Sequence, residues 1–113
     1  MKQGSIVLIP IPFTDLSSVK QRPCLIISRS EDNKKCSDII VLAITSNEKA
    51  RQEPHVIPIF SSDLSTGVLP KESFIKLQKV YSIDKRLVRK VVGELDSQVF
   101  QKTVQLFIKI ISF

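Results

Sequence analysis

Three short apolar runs within residues 4–46 constrain this chain more than any other feature. Gly4-Ser5-Ile6-Val7-Leu8-Ile9-Pro10, Cys24-Leu25-Ile26-Ile27-Ser28 and Asp38-Ile39-Ile40-Val41-Leu42-Ala43-Ile44-Thr45-Ser46 read as strands. They are rich in β-branched residues and nearly continuous in hydrophobicity, which suits a barrel wall buried inside and partly covered outside. Arg22-Pro23 opens the second run. Proline fixes its own φ and biases the residue before it toward an extended conformation, so the Arg22 guanidinium should project in a restricted direction from the strand entrance. If the second and third strands share a sheet, the hydroxyls of Thr45 and Ser46 lie beside that cation, where a phosphate would fit.

Polar segments separate the runs: Phe13 to Gln21, Ser30–Ser37 with its Asp32-Asn33-Lys34-Lys35 turn signal, and the charged stretch Asn47–Glu53. The first exceeds a tight hairpin and falls short of a helical crossover, so it reads as a lid over the sheet. His55–Phe60 is a fourth strand that Pro58 confines to an edge or a bulge. Ser61–Ser65 reads as a turn, and Thr66–Pro70 bends the chain again. Ser73–Tyr81 alternates, with Ile75 and Leu77 one way and Lys76 and Gln78 the other, as half-buried strands do. Ile83–Leu87 reads as a helical turn and Arg89–Leu95 as a last strand. Asp96 then caps a helix whose Phe100, Val104, Phe107, Ile108 and Ile111 form its apolar stripe.

A chain of 113 residues is one domain, 1–113, and buries about two-thirds of its unfolded surface without disulfides. Cys24 and Cys36 form no redox or zinc motif and read as reduced cytoplasmic thiols. The apolar stretch after Lys2 is short and holds Pro10, which makes it a strand and not a signal peptide, and no run approaches a membrane span. The formal charge of +6 favours a polyanionic partner, either nucleic acid or an acidic protein. Three scattered glycines make no phosphate loop, and neither a metal site nor a Ser-His-Asp set can be assembled.

Gly4-x-Ile6-Val7-Leu8, Pro12-Phe13-Thr14-Asp15-Leu16, Arg22-Pro23-x-Leu25-Ile26-Ile27-Ser28, Ile40-Val41-x-Ala43-Ile44-Thr45-Ser46 and Ile83-Asp84-Lys85, in this order, resemble the MazF/PemK family of toxins. Ser5 departs from it, since the family commonly has Asp there. The resemblance implies a mainly β fold, a small SH3-like β-barrel of the CcdB/PemK type with a C-terminal α-helix. It also implies a homodimer neutralised by an acidic antitoxin protein, and a metal-independent endoribonuclease, with no cofactor, that cuts single-stranded mRNA to 2′,3′-cyclic phosphate and 5′-hydroxyl ends. The family assigns catalysis to the residues that stand here as Arg22 and Thr45.

Such cleavage uses the ribose 2′-hydroxyl as nucleophile, so the protein must manage two proton transfers and stabilise charge on phosphorus. With His55 the only histidine, Arg22 and Thr45 are the best available pair. Phe13, Lys20, Gln21, Pro23, Ser46, Lys76, Gln78 and Lys79 are candidates for lining the RNA groove, with cations for phosphates and Phe13 for base stacking. The competing reading is a non-catalytic CcdB-like toxin or binding module of the same fold that acts on a protein such as DNA gyrase.

Overall fold

The computed structural model describes residues 1–12 and 19–113. Seven strands among them form one curled antiparallel sheet: β1 (Ser5–Pro12), β2 (Val19–Ile26), β3 (Asp38–Thr45), β4 (Val56–Ile59), β5 (Leu64–Gly67), β6 (Ser73–Asp84) and β7 (Lys90–Leu95). Their order is β4-β6-β3-β2-β1-β7-β5, a half-barrel with β4 and β5 at its ends. Pro58 therefore lies on an edge strand, where its missing N–H costs no ladder bond. The first polar segment is shorter than its composition suggests, because β2 begins at Val19 and takes in Lys20, Gln21 and Arg22. The lid expected over residues 13–21 lies largely outside the described residues.

Side chains alternate across the sheet and divide its core in two. On one face Ile6, Leu25, Leu42, Ile44, Ile59, Ile75, Leu77 and Leu95 pack together, with Val99, Phe100, Leu106, Phe107 and Ile110 against them. On the other, Val7, Ile9, Cys24, Ile26, Ile39 and Val41 form a fully buried floor, flanked by Ile11, Tyr81, Ile83 and Val88.

Helix α2 (Ser97–Ile111) covers the first face. Asp96 caps it by accepting from the amides of Gln98 and Val99. Its buried stripe is rotated from the expected one: Val99, Thr103, Leu106 and Ile110 face inward with Phe100 and Phe107, whereas Ile108 and Ile111 are exposed. The reason is Thr103, fully buried because its hydroxyl donates to the Val99 carbonyl at 2.8 Å and so needs no partner outside the helix.

Two of the polar segments are helical. Residues Ser30–Lys35 form α1, with Glu31 and Asp32 in the first turn and Lys34 and Lys35 in the last, the arrangement that complements the helix dipole. Its buried Asn33 accepts from the Ser28 hydroxyl and donates to the carbonyls of Met1 and Ser28, while Lys85 Nζ donates to the carbonyl of Asn33. Glu48–Gln52 is a 3-10 turn. At the far edge, β5 meets β7 through Gly67, at φ +88, and Gly93. A Cβ on Gly67 would lie 2.2 Å from the Val92 carbonyl oxygen, so the approach requires glycine.

Candidate active site

The β1–β2 ladder pairs Ile9 with Arg22, and the β2–β3 ladder pairs Cys24 with Ala43, Leu25 with Leu42 and Ile26 with Val41. The pairing stops at Cys24–Ala43, two residues short of Arg22 and Thr45, and strand alternation gives both of these the parity of Cys24 and Ala43. The β3–β6 ladder then pairs Thr45 with Phe74. Arg22, paired with Ile9, and Thr45, paired with Phe74, thus lie on the face floored by Cys24 and Ile26. Alternation therefore sets Arg22 and Thr45 on one face of the sheet.

The local sequence explains the placement. Pro23, opposite Leu8, lacks an N–H and holds the chain extended where Arg22 enters the sheet. Arg22 and Thr45 are half-buried, and Ile9, Cys24 and Phe74 around them are fully buried. Burial pushes the Cys24 thiol up to about 12, so it stays protonated and packs as a small hydrophobe. The Thr45 hydroxyl oxygen accepts from the Asn47 amide at 3.2 Å. One of its lone pairs is thereby used, and its proton is left for donation outward.

Alternation separates the other candidates. Lys20, opposite Ile11, shares the face of Arg22 and is exposed, whereas Gln21 and Pro23 have the opposite parity. Ser46 is exposed just past the end of β3. Phe13 lies outside the described residues. Leu42 pairs with Val80 but Ile44 with Ile75, which leaves Ala43 alone opposite residues 76–79 and bends β6. The first half of β6 consequently turns to pair with β4, Lys76 opposite Val56. Lys76 is ion-paired with Glu53 at 3.4 Å, and Lys79 is exposed within the bulge. Gln78 opens onto a cleft of about 580 Å³ with His55, Leu77, Leu106, Lys109 and Ile110, on the side that α2 covers. His55 itself adopts a left-handed φ of 59°, and its carbonyl accepts from the Leu77 amide.

The sequence gives no hint of the cluster beside Thr45. There Arg51 lies with its guanidinium carbon 5.1 Å from the centroid of the Phe74 ring and pairs with both Glu48 and Glu72. Among the described residues, no three of His, Cys, Asp or Glu are grouped to hold a metal ion, and no helix is long and apolar enough to cross a membrane.

The described residues thus form a small, mainly β domain closed by a C-terminal helix. Residues 2–111 match the family described as PemK-like, MazF-like toxins of type II toxin-antitoxin systems, and the chain belongs to that family. Solved structures share the fold at low identity. An endoribonuclease in complex with its cognate antitoxin from a mycobacterial species superposes with a TM-score of 0.78 at 15% identity, covering 98% of this chain and 94% of that one. A Deinococcus radiodurans MazE–MazF crystal structure gives 0.76 at 17%, covering 98% and 95%. The Mycobacterium tuberculosis toxin MazF-mt6 gives 0.74 at 18%, covering 95% of each chain. No curated protein matches the chain.

Proposed function

We propose that this toxin is a sequence-specific endoribonuclease that cuts single-stranded mRNA without a metal, leaving a 2′,3′-cyclic phosphate and a 5′-hydroxyl. The observation that supports the reading is strand alternation, which gives Arg22 and Thr45 the same parity as Cys24 and Ala43 on the face floored by Val7, Ile9, Cys24, Ile26, Ile39 and Val41. Arg22 grips the two non-bridging oxygens of the scissile phosphate through its planar fork. As the 2′-oxygen bonds to phosphorus and the bond to the 5′-oxygen breaks, solvent water takes the 2′-hydroxyl proton and supplies one to the departing 5′-oxygen, while the guanidinium neutralises the added charge and the Thr45 hydroxyl donates to a phosphoryl oxygen. Neither group is a base at neutral pH, so the pair works by stabilising charge. Family membership and the neighbours named as endoribonucleases support this reading.

The chain acts in the cytoplasm as a homodimer, and an acidic antitoxin that folds across the basic groove excludes RNA from it. The formal charge of +6 and the neighbouring complexes with antitoxins support the partner's chemistry. Incubating single-stranded RNA with purified protein in EDTA tests the whole. Wild type should cut to cyclic-phosphate ends and Arg22→Ala should not. Undiminished cutting by Arg22→Ala would overturn the mechanism.

A further inference from the structure

We propose that Arg51 is a positioning residue, which locks the turn after β3 onto the start of β6 and so aims the Thr45 hydroxyl at the phosphate. This rests on the endoribonuclease reading for its kinetic consequence but not for its structural one. The contacts form a closed circuit. Thr45 Oγ accepts from the Asn47 amide, and Asn47 Oδ1 accepts in turn from the Lys49 amide at 3.0 Å, capping the Glu48–Gln52 turn. Within that turn Ala50 is buried and its amide donates to the Asn47 carbonyl. Arg51 then reaches across to Glu72, one residue before β6, and lies over Phe74, the residue that faces Thr45. A hydroxyl is a free rotor until its lone pairs are used. Fixing Asn47 therefore fixes the direction in which Thr45 donates.

The carboxylates decide between this role and direct phosphate binding. Glu72 is only 15% exposed and Glu48 is 72% exposed, and both spend their charge on the one guanidinium. Two anions against one cation make a poor seat for a phosphate but a firm anchor for a side chain. The hydrogen bonds to Glu72 and then to Glu48 hold the Arg51 pKa above its already high ordinary value, so the anchor does not titrate. An ion pair this exposed adds little to global stability. Its effect should be local, on the turn that ends in the active site.

Single-turnover cleavage by Arg51→Ala, Thr45→Ala and the double variant tests the proposal, with amide hydrogen exchange of Asn47 measured alongside by NMR. Arg51→Ala should lower kcat by about tenfold with KM changed less than about twofold, the signature of a misplaced catalytic group. Arg51→Lys should recover only part of that loss. Because Arg51 acts through Thr45, the double variant should be no slower than Thr45→Ala alone. The Asn47 amide should exchange faster in Arg51→Ala and Glu72→Gln, and unchanged in Glu48→Gln. Multiplicative losses in the double variant, or an unchanged Asn47 amide in Arg51→Ala, would overturn the role. Should wild type cut no RNA, the endoribonuclease reading fails, while the exchange of Asn47 still decides whether Arg51 holds the turn.

Discussion

The two faces of the sheet are built from alternate residues of the same strands, yet they are finished differently. Leu25 and Leu42 lie on the face that α2 closes with Val99, Phe100 and Leu106. Their immediate neighbours Cys24 and Val41 lie on the opposite face. Each floor is fully buried, so apolar area does not distinguish them. What differs is the cover. One face receives a helix whose only buried polar side chain bonds within the helix itself, and the other carries the half-buried Arg22 and Thr45. Stability and chemistry are therefore interleaved residue by residue, and substitutions one position apart should fail in different ways.

Arg22→Ala gives the largest effect expected. On the proposed mechanism, removing this guanidinium should lower the cleavage rate by roughly 10²–10³-fold, with the unfolding midpoint nearly unchanged. Leu25→Ala, three residues on and facing α2, should do the reverse. Deleting a fully buried Leu leaves a cavity and costs about 2–5 kcal/mol in urea unfolding, while cleavage per folded molecule is retained. If Leu25→Ala lost activity out of proportion to its unfolded fraction, the two faces would not be separable. A smaller test probes how dry the floor of the open face is. Cys24 is buried with its thiol pushed up to about 12, whereas Cys36 is exposed. A thiol reagent at pH 8 should therefore modify one cysteine in the native protein and both after denaturation.

The apolar runs are legible because a strand's hydrophobicity is local, and Arg22-Pro23 indeed lies within an extended strand, as the proline's local constraint implies. The cap at Asp96 is likewise a short-range signal. The helix stripe was misphased because Thr103 looks polar in sequence and becomes apolar once its hydroxyl bonds to Val99. Lys76 and Gln78, expected on one exposed row, part at the bulge of residues 76–79, which no local pattern announces. The 3-10 turn and its Arg51–Glu72 anchor depend on pairing residues more than twenty positions apart. In sequence they are only a charged loop and an isolated Glu.

The smallest effect concerns the flank of the open face. Asp84 ends β6, accepts from the side chain and amide of Arg86, and caps the 3-10 turn Lys85–Leu87, beyond which Val88 packs against the floor. The side-chain hydrogen bond from Arg86 leads in holding its carboxyl down, from 3.8 to about 2. A carboxylate with a depressed folded-state pKa stabilises the fold above its unfolded value and loses that contribution as pH falls through the folded one. The window here runs from about pH 4 down to about pH 2. Asp84→Asn keeps a cap acceptor but removes the charge. Its melting temperature should lie slightly below wild type at pH 6, and the difference should close as the acid limit is approached. Exposed charges are screened, so added salt should narrow the gap at pH 6. Leu25 packs within the apolar cluster under α2, and Leu25→Ala should be destabilised equally at both pH values. A pH dependence in the Leu25→Ala difference would mean that the charge at the flank reaches through the sheet to the helix-covered core.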